Sequence, residues 1–150
     1  MSKVQTTSCK ATSNLDVSIP DSEGRNIVLY FYPKDATSGC TLEGQDFRDN
    51  HDVFVNANTV VYGVSKDSLI SHEKFKEDQS FPFELIADED GSLCESLGVW
   101  QLKPPKNGEQ KMGIVRSTFL IDPQGNIIKH WDAVKVPGHV DEVLSTVASL

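Results

Sequence analysis

The chain has 150 residues, 38% of them apolar and 24% charged, the make-up of one soluble globular domain able to enclose its own core. Acidic residues outnumber basic ones by 22 to 14, and the formal net charge of −8 disfavours nucleic acid and anionic membrane as partners. No apolar run approaches the roughly 20 residues of a membrane helix. Met1 to Cys9 lacks the apolar stretch of a secretory leader, and the three cysteines (Cys9, Cys40, Cys94) are odd in number, so a cytoplasmic protein with free thiols is expected.

Residues 1–26 are polar, with Leu15, Val17 and Ile19 alternating as a short edge strand and Pro20 to Gly24 reading as a turn. Asn26 to Tyr32 is apolar, β-branched and aromatic, the pattern of a central strand buried on both faces, and it stops at Pro33. A loop from Lys34 to Gly39 leads into a helix from Cys40 to about Val55, with Phe47, His51 and Phe54 near one face. Thr59 to Val64 is a second buried strand, and Asp67-Ser68 caps a helix running through Lys76. Phe83 to Ala87 is a third strand. Asp88 to Gly91 then precedes a short helix bearing Leu93, Cys94 and Leu97, which Gly98 ends. Gln101 to Met112, with Pro104-Pro105 and Asn107-Gly108, reads as a long loop. Gly113 to Ile121 and Asn126 to Val134 flank the turn Asp122-Pro123-Gln124-Gly125 as a hairpin, and His139 to Leu150 closes the chain as a helix. This order predicts an α/β chain with a thioredoxin-like fold: a central mixed sheet with helices on both faces, in a single domain over 1–150.

Cys40 stands where a buried strand ends and a helix begins, the end of an α/β sheet at which ligands bind. Unpaired N–H groups at a helix start favour thiolate over thiol, so Cys40 reads as a reactive nucleophile rather than a small buried hydrophobe. Thr37 precedes it by three, which lets the hydroxyl fold back toward the sulfur, and Gly39 permits a close backbone approach. A dithiol exchange enzyme would need cysteine at both positions, and only one is present. Arg116 interrupts an apolar stretch, Ile114-Val115 before it and Thr118-Phe119 after it, and a charge in that setting needs a partner. His51, His72, His130 and His139 form no close grouping with cysteine, so no metal site is expected.

Pro33, Thr37 and Cys40 match the Pro-x-x-x-Thr-x-x-Cys pattern of peroxiredoxins, which the chain resembles. Tyr30 to Asp35, Gly39 to Gly44, Phe47-Arg48-Asp49, Asp88 to Gly91, Leu97 to Trp100 and Arg116 to Asp122 are similar to the bacterioferritin-comigratory, or Q-type, branch, from about Lys10 to the C-terminus. The resemblance implies a thioredoxin-like fold and thiol-dependent reduction of hydrogen peroxide and organic hydroperoxides. It makes Cys40 the peroxidatic cysteine and Thr37 the hydroxyl that bonds thiolate and peroxide. Pro33 becomes the ring shielding the sulfur, Arg116 the guanidinium that polarises the site, and Glu43 the acid that orients that arginine. Sulfur itself is the redox centre, so no cofactor is expected.

Many members of that branch carry a second cysteine where this chain has Gln45, and others where it has Lys76. The expected cycle therefore uses one cysteine and an external thiol: thioredoxin, glutaredoxin or glutathione. Cys94 reads as core, and Cys9, in a start read as flexible, as a minor candidate for resolving Cys40. Ser38 stands where the branch has proline, and its usual Pro-Asp-Phe near the N-terminus is missing. A monomer or weak homodimer is expected. The rival readings are a protein thiol-disulfide exchange enzyme and a non-catalytic redox sensor.

Overall fold

The structure, a computed structural model, describes residues 3–106 and 108–150, with the side chains of 104–106 left aside. Met1 and Ser2 of the expected polar start, and Asn107 of the expected loop, lie outside the described residues. The elements run β1 (Thr7–Ala11), β2 (Leu15–Ile19), β3 (Asn26–Phe31), α1 (Ser38–Asp49), α2 (His51–Asn56), β4 (Thr59–Ser65) and α3 (Leu69–Gln79). They continue with β5 (Glu84–Ala87), α4 (Ser92–Ser96), β6 (Trp100–Lys106), β7 (Glu109–Ile114), β8 (Ser117–Ile121), β9 (Ile127–Trp131) and α5 (His139–Ala148).

Seven strands form one mixed sheet in the order β2-β1-β5-β4-β3-β8-β9. β3, β4 and β5 are parallel neighbours, and β8, β1 and the outer strands β9 and β2 pair antiparallel. β3 sits deep in the sheet, and its pleat feeds two separate cores. Ile27, Leu29 and Phe31 join Val64, Ile86, Leu93, Cys94 and Phe119 on one side. Val28 and Tyr30, with Tyr32 just beyond the strand, join Phe47, Phe54, Phe75, Leu85 and Val143 on the other. Helices therefore cover both faces, α4 over the first core and α1, α2, α3 and α5 over the second. This is the expected architecture.

Four local expectations are corrected. β1 lay in a stretch read as flexible, yet Cys9 pairs with Val17 across the β1–β2 hairpin and packs on the first core. That hairpin turns through Ser13 and Asn14, both at positive φ, the backbone twist that suits tightly joined antiparallel strands. The loop read from Gln101 to Met112 is the two-stranded ribbon β6–β7, whose register shifts between Lys103 and Lys106. Its two prolines argued against a strand, but a ribbon with free edges tolerates a missing N–H. The helix begins at Ser38, two residues before Cys40. It also breaks at Asn50, whose Nδ2 donates to the Asp46 carbonyl, so one expected helix is two. Among the described residues no helix is long and apolar enough to cross a membrane.

Candidate active site

Tyr32 ends the run of β3, and Pro33 to Thr37 cross from the sheet to the start of α1. Thr37 occupies the N-cap in an extended conformation, and the Thr41 N–H closes the first helical bond on its carbonyl. The Thr37 hydroxyl does not cap the helix, nor does it turn to the sulfur; it donates to the Lys34 carbonyl at 2.9 Å. The N–H groups of the first turn have no partner within the helix, which gives this end its positive character. Cys40 is the third residue of α1 and only 1% exposed.

Arg116 reaches this point from 76 residues away. It lies not within a strand, as expected, but in the break between β7 of the ribbon and β8 of the main sheet. That break frees the side chain to cross to α1. One arm of its fork, Nη2, donates to Cys40 Sγ at 3.3 Å, and the other, Nη1, donates to Glu43 Oε1 at 2.7 Å. A Cβ on Gly39 would come within 3.2 Å of Nη2, so the guanidinium passes where a larger residue would crowd it. Cys40, Arg116 and Glu43 are thus joined directly. Thr37 and Pro33, both exposed, flank them without entering that set of hydrogen bonds.

Glu43 is fully buried, and its second oxygen, Oε2, has no hydrogen-bond partner among the described residues. Burial raises its pKa to about 7, against the pull of Arg116. Burial opposes the charge of Arg116 in turn, but Glu43 and Cys40 outweigh it and hold the guanidinium above its ordinary value. A carboxyl whose pKa is raised on folding adds stability that is complete below the unfolded value near 4.5 and is lost as pH rises through about 7. Glu43→Gln should therefore flatten the decline of the urea midpoint between those two pH values, and an unchanged decline would place its origin elsewhere.

The other cysteines lie with the opposite core. Cys94 is fully buried; burial first, then Asp88, drives its thiol well above the ordinary range. Cys9, half-buried on β1, is raised to about 11 by burial, with Asp88 and Asp90 behind it. Among the described residues one group could hold a metal ion: Asp35, Asp67 and His72, whose ligand atoms lie within 4.8 Å of one another. Its atoms are already engaged. Asp35 accepts Tyr32 Oη at 2.6 Å and Ser71 Oγ at 2.7 Å, and lies 2.7 Å from His72 Nδ1, whose Nε2 faces the Ile86 carbonyl at 2.9 Å. Asp67 accepts the Asp35 N–H and Ser65 Oγ. The group ties the Pro33–Thr37 crossing to α3 and β5, and the sequence offered no sign of it beyond the buried setting of its neighbours. Asp35→Ala, which strands the buried Tyr32 and His72 partners and the half-buried Ser71 hydroxyl, should cost about 3–5 kcal/mol in denaturant unfolding; a loss under about 1 kcal/mol would mean that water replaces the carboxylate.

Comparisons with known proteins show the family and the fold. A family model described as the AhpC/TSA family matches residues 2–130. Peroxiredoxin Bcp of Bacillus subtilis is 51% identical over 135 residues, which cover 89% of this chain and 85% of that one. Peroxiredoxin Bcp of Escherichia coli K12 is 39% identical over 129 residues, 86% of this chain and 82% of the relative. The solved structure of Xanthomonas campestris peroxiredoxin Q superposes with a TM-score of 0.90 at 39% identity, over 95% of this chain and 90% of that one. With that fold and a thiol held by an arginine at a helix start, the chain belongs to the AhpC/TSA family and is a peroxiredoxin, a thiol-dependent peroxidase. Within the family it falls in the bacterioferritin-comigratory branch.

Proposed function

We propose that Cys40 is the peroxidatic nucleophile of a one-cysteine cycle that reduces hydrogen peroxide and organic hydroperoxides. The observation that carries this reading is the Arg116 Nη2–Sγ contact of 3.3 Å at the N-terminal turn of α1. In the reaction the thiolate attacks the terminal oxygen of the peroxide. A sulfur–oxygen bond forms, the oxygen–oxygen bond breaks, and that oxygen keeps its hydrogen as Cys40 sulfenic acid. The other oxygen departs with the bonding pair and takes up a proton, leaving as water or alcohol. Arg116 and the open N–H groups of the first turn stabilise the charge moving onto it. Thr37 stands exposed at the N-cap three residues before Cys40, and its hydroxyl, released from the Lys34 carbonyl, would be the one to meet a peroxide. Pro33 limits approach from the strand side, and Glu43 fixes the fork of Arg116. A related bacterioferritin comigratory protein from Xanthomonas campestris has been described for alkyl peroxide reduction, which supports organic hydroperoxides as substrates here.

The return step falls to an external thiol: thioredoxin, glutaredoxin or glutathione. Cys9 and Cys94 pack in one core and Cys40 in the other, with the central sheet between them. A disulfide needs Cα atoms within about 7 Å, so neither can reach Cys40 without unfolding. The enzyme would then work in the cytoplasm as a monomer or weak homodimer. After one equivalent of peroxide, a dimedone-type reagent should capture Cys40 sulfenic acid in high yield, and excess peroxide should drive it to sulfinic acid. Rapid, near-complete formation of a Cys40–Cys9 or Cys40–Cys94 peptide under non-reducing mapping would overturn the one-cysteine cycle. Failure of Cys40 to gain oxygen while protein disulfides are exchanged would favour the thiol-disulfide exchange reading.

A further inference from the structure

The reaction leaves one proton without a source, and Glu43 has a feature that positioning an arginine does not require. Arg116 is a single cation shared by two acidic groups, Glu43 at 2.7 Å and Cys40 at 3.3 Å. Cys40 and Glu43 are essentially sealed from solvent, and the Arg116 side chain is 17% exposed. With both acids ionised the cluster would carry a net negative charge in a poorly solvated place, which is costly. The cost would fall on Glu43 Oε2, which has no hydrogen-bond partner among the described residues. Among the described residues, none of the groups around it that interact with it offers a second cation: Cys40 and Asp46 lie on α1 itself, and Tyr30 comes from β3. From α5, His139 is buried against Thr118 and its pKa is lowered by burial.

We propose that Glu43 keeps its proton while Cys40 is a thiolate and gives it up as the sulfenic acid forms, supplying the proton that the departing oxygen takes. The step balances. Thiolate, neutral Glu43 and hydroperoxide become sulfenic acid, ionised Glu43 and alcohol. One negative charge moves from sulfur to carboxylate, and Arg116 stays paired before and after. Burial that raises the carboxyl to about 7 is in keeping with this role, since such a group holds a proton near neutrality and can release it. Glu43 thus acts through Arg116 as a positioning residue that also stores a proton. The inference rests on Cys40 being the peroxidatic thiolate.

The test is infrared difference spectroscopy of the full chain before and after one equivalent of tert-butyl hydroperoxide, with mass spectrometry of the same sample. The expected result is gain of one oxygen atom on Cys40, loss of a neutral carboxylic acid C=O band and gain of a carboxylate band. Glu43→Gln should lose both band changes while still gaining the oxygen. In single-turnover kinetics that variant should react on the order of 10²-fold more slowly with the alkyl hydroperoxide, the scale of general acid catalysis. With a peracid, whose leaving carboxylate needs no proton, its slowing should be smaller by about tenfold or more. Oxygen gained on Cys40 with no carboxyl band change in the wild-type protein would overturn the proton role and leave the peroxidase reading standing. Equal slowing with both oxidants would also overturn it, because an acid that only orients Arg116 serves both. No oxygen on Cys40 would overturn the functional reading itself.

Discussion

Cys40→Ser protein is expected to lose peroxide turnover altogether, a fall on the order of 10⁴-fold or more, as when an enzyme loses its nucleophile. The substitution keeps shape and a hydrogen-bonding atom beside Arg116, so the fold should survive and the loss can be read as chemistry. The contrast is Cys94→Ser, which should leave most of the turnover. Cys94 is wholly buried in the other core, its thiol is held well above the ordinary range, and its N–H is fixed by Asp88 at 2.8 Å. Peroxide consumption coupled to a reducing thiol measures both variants. Turnover kept in the first and lost in the second would move the nucleophile to the opposite face of the sheet.

Arg116→Ala should slow oxidation of Cys40 by about 10²-fold or somewhat more, the usual cost of one donor aimed at developing charge. Arg116→Lys should fall between the two, because an ammonium keeps the charge but cannot fork to Glu43 and Cys40 together. The alanine variant should also be less stable, since it leaves Glu43 buried with neither oxygen paired. Rates therefore need to be measured well below its unfolding transition. An alanine variant oxidised within about twofold of wild type would reduce Arg116 to a structural ion pair, a change too small for a lost oxyanion donor.

Of the strands that could be read directly, β3 and β4 are short runs rich in β-branched and aromatic residues buried on both faces, and β5 buries Leu85 and Ile86 at its centre. Burial of that kind leaves a local mark. β1 left none, because Thr7 to Ala11 places a single side chain, Ala11, fully inside and depends on β2 and β5 for its hydrogen bonds. The β6–β7 ribbon was hidden by its prolines and by a largely exposed β7. The position of Cys40 was legible because Pro33 ends an apolar run and a helical pattern follows, so the local chain marks the strand-to-helix junction.

What the sequence by itself determined is the class of chemistry: one thiol at a helix start, Gln45 and Lys76 at the two positions compared, and an arginine whose charge needed a partner. Only the tertiary structure decided how those groups meet. Glu43 and Arg116, 73 residues apart, become a part-buried pair because the break between two sheets aims the guanidinium at α1. Tyr32 and Asp35 meet His72 of α3 only because α3 packs beside the end of β3. The side of the sheet that receives each cysteine depends on strand pairing, which puts Cys9 and Cys94 with one core and Cys40 with the other. The physical reason is common to all three: a charge or thiol is tuned by what lies within a few ångströms, and those neighbours come from segments distant in sequence.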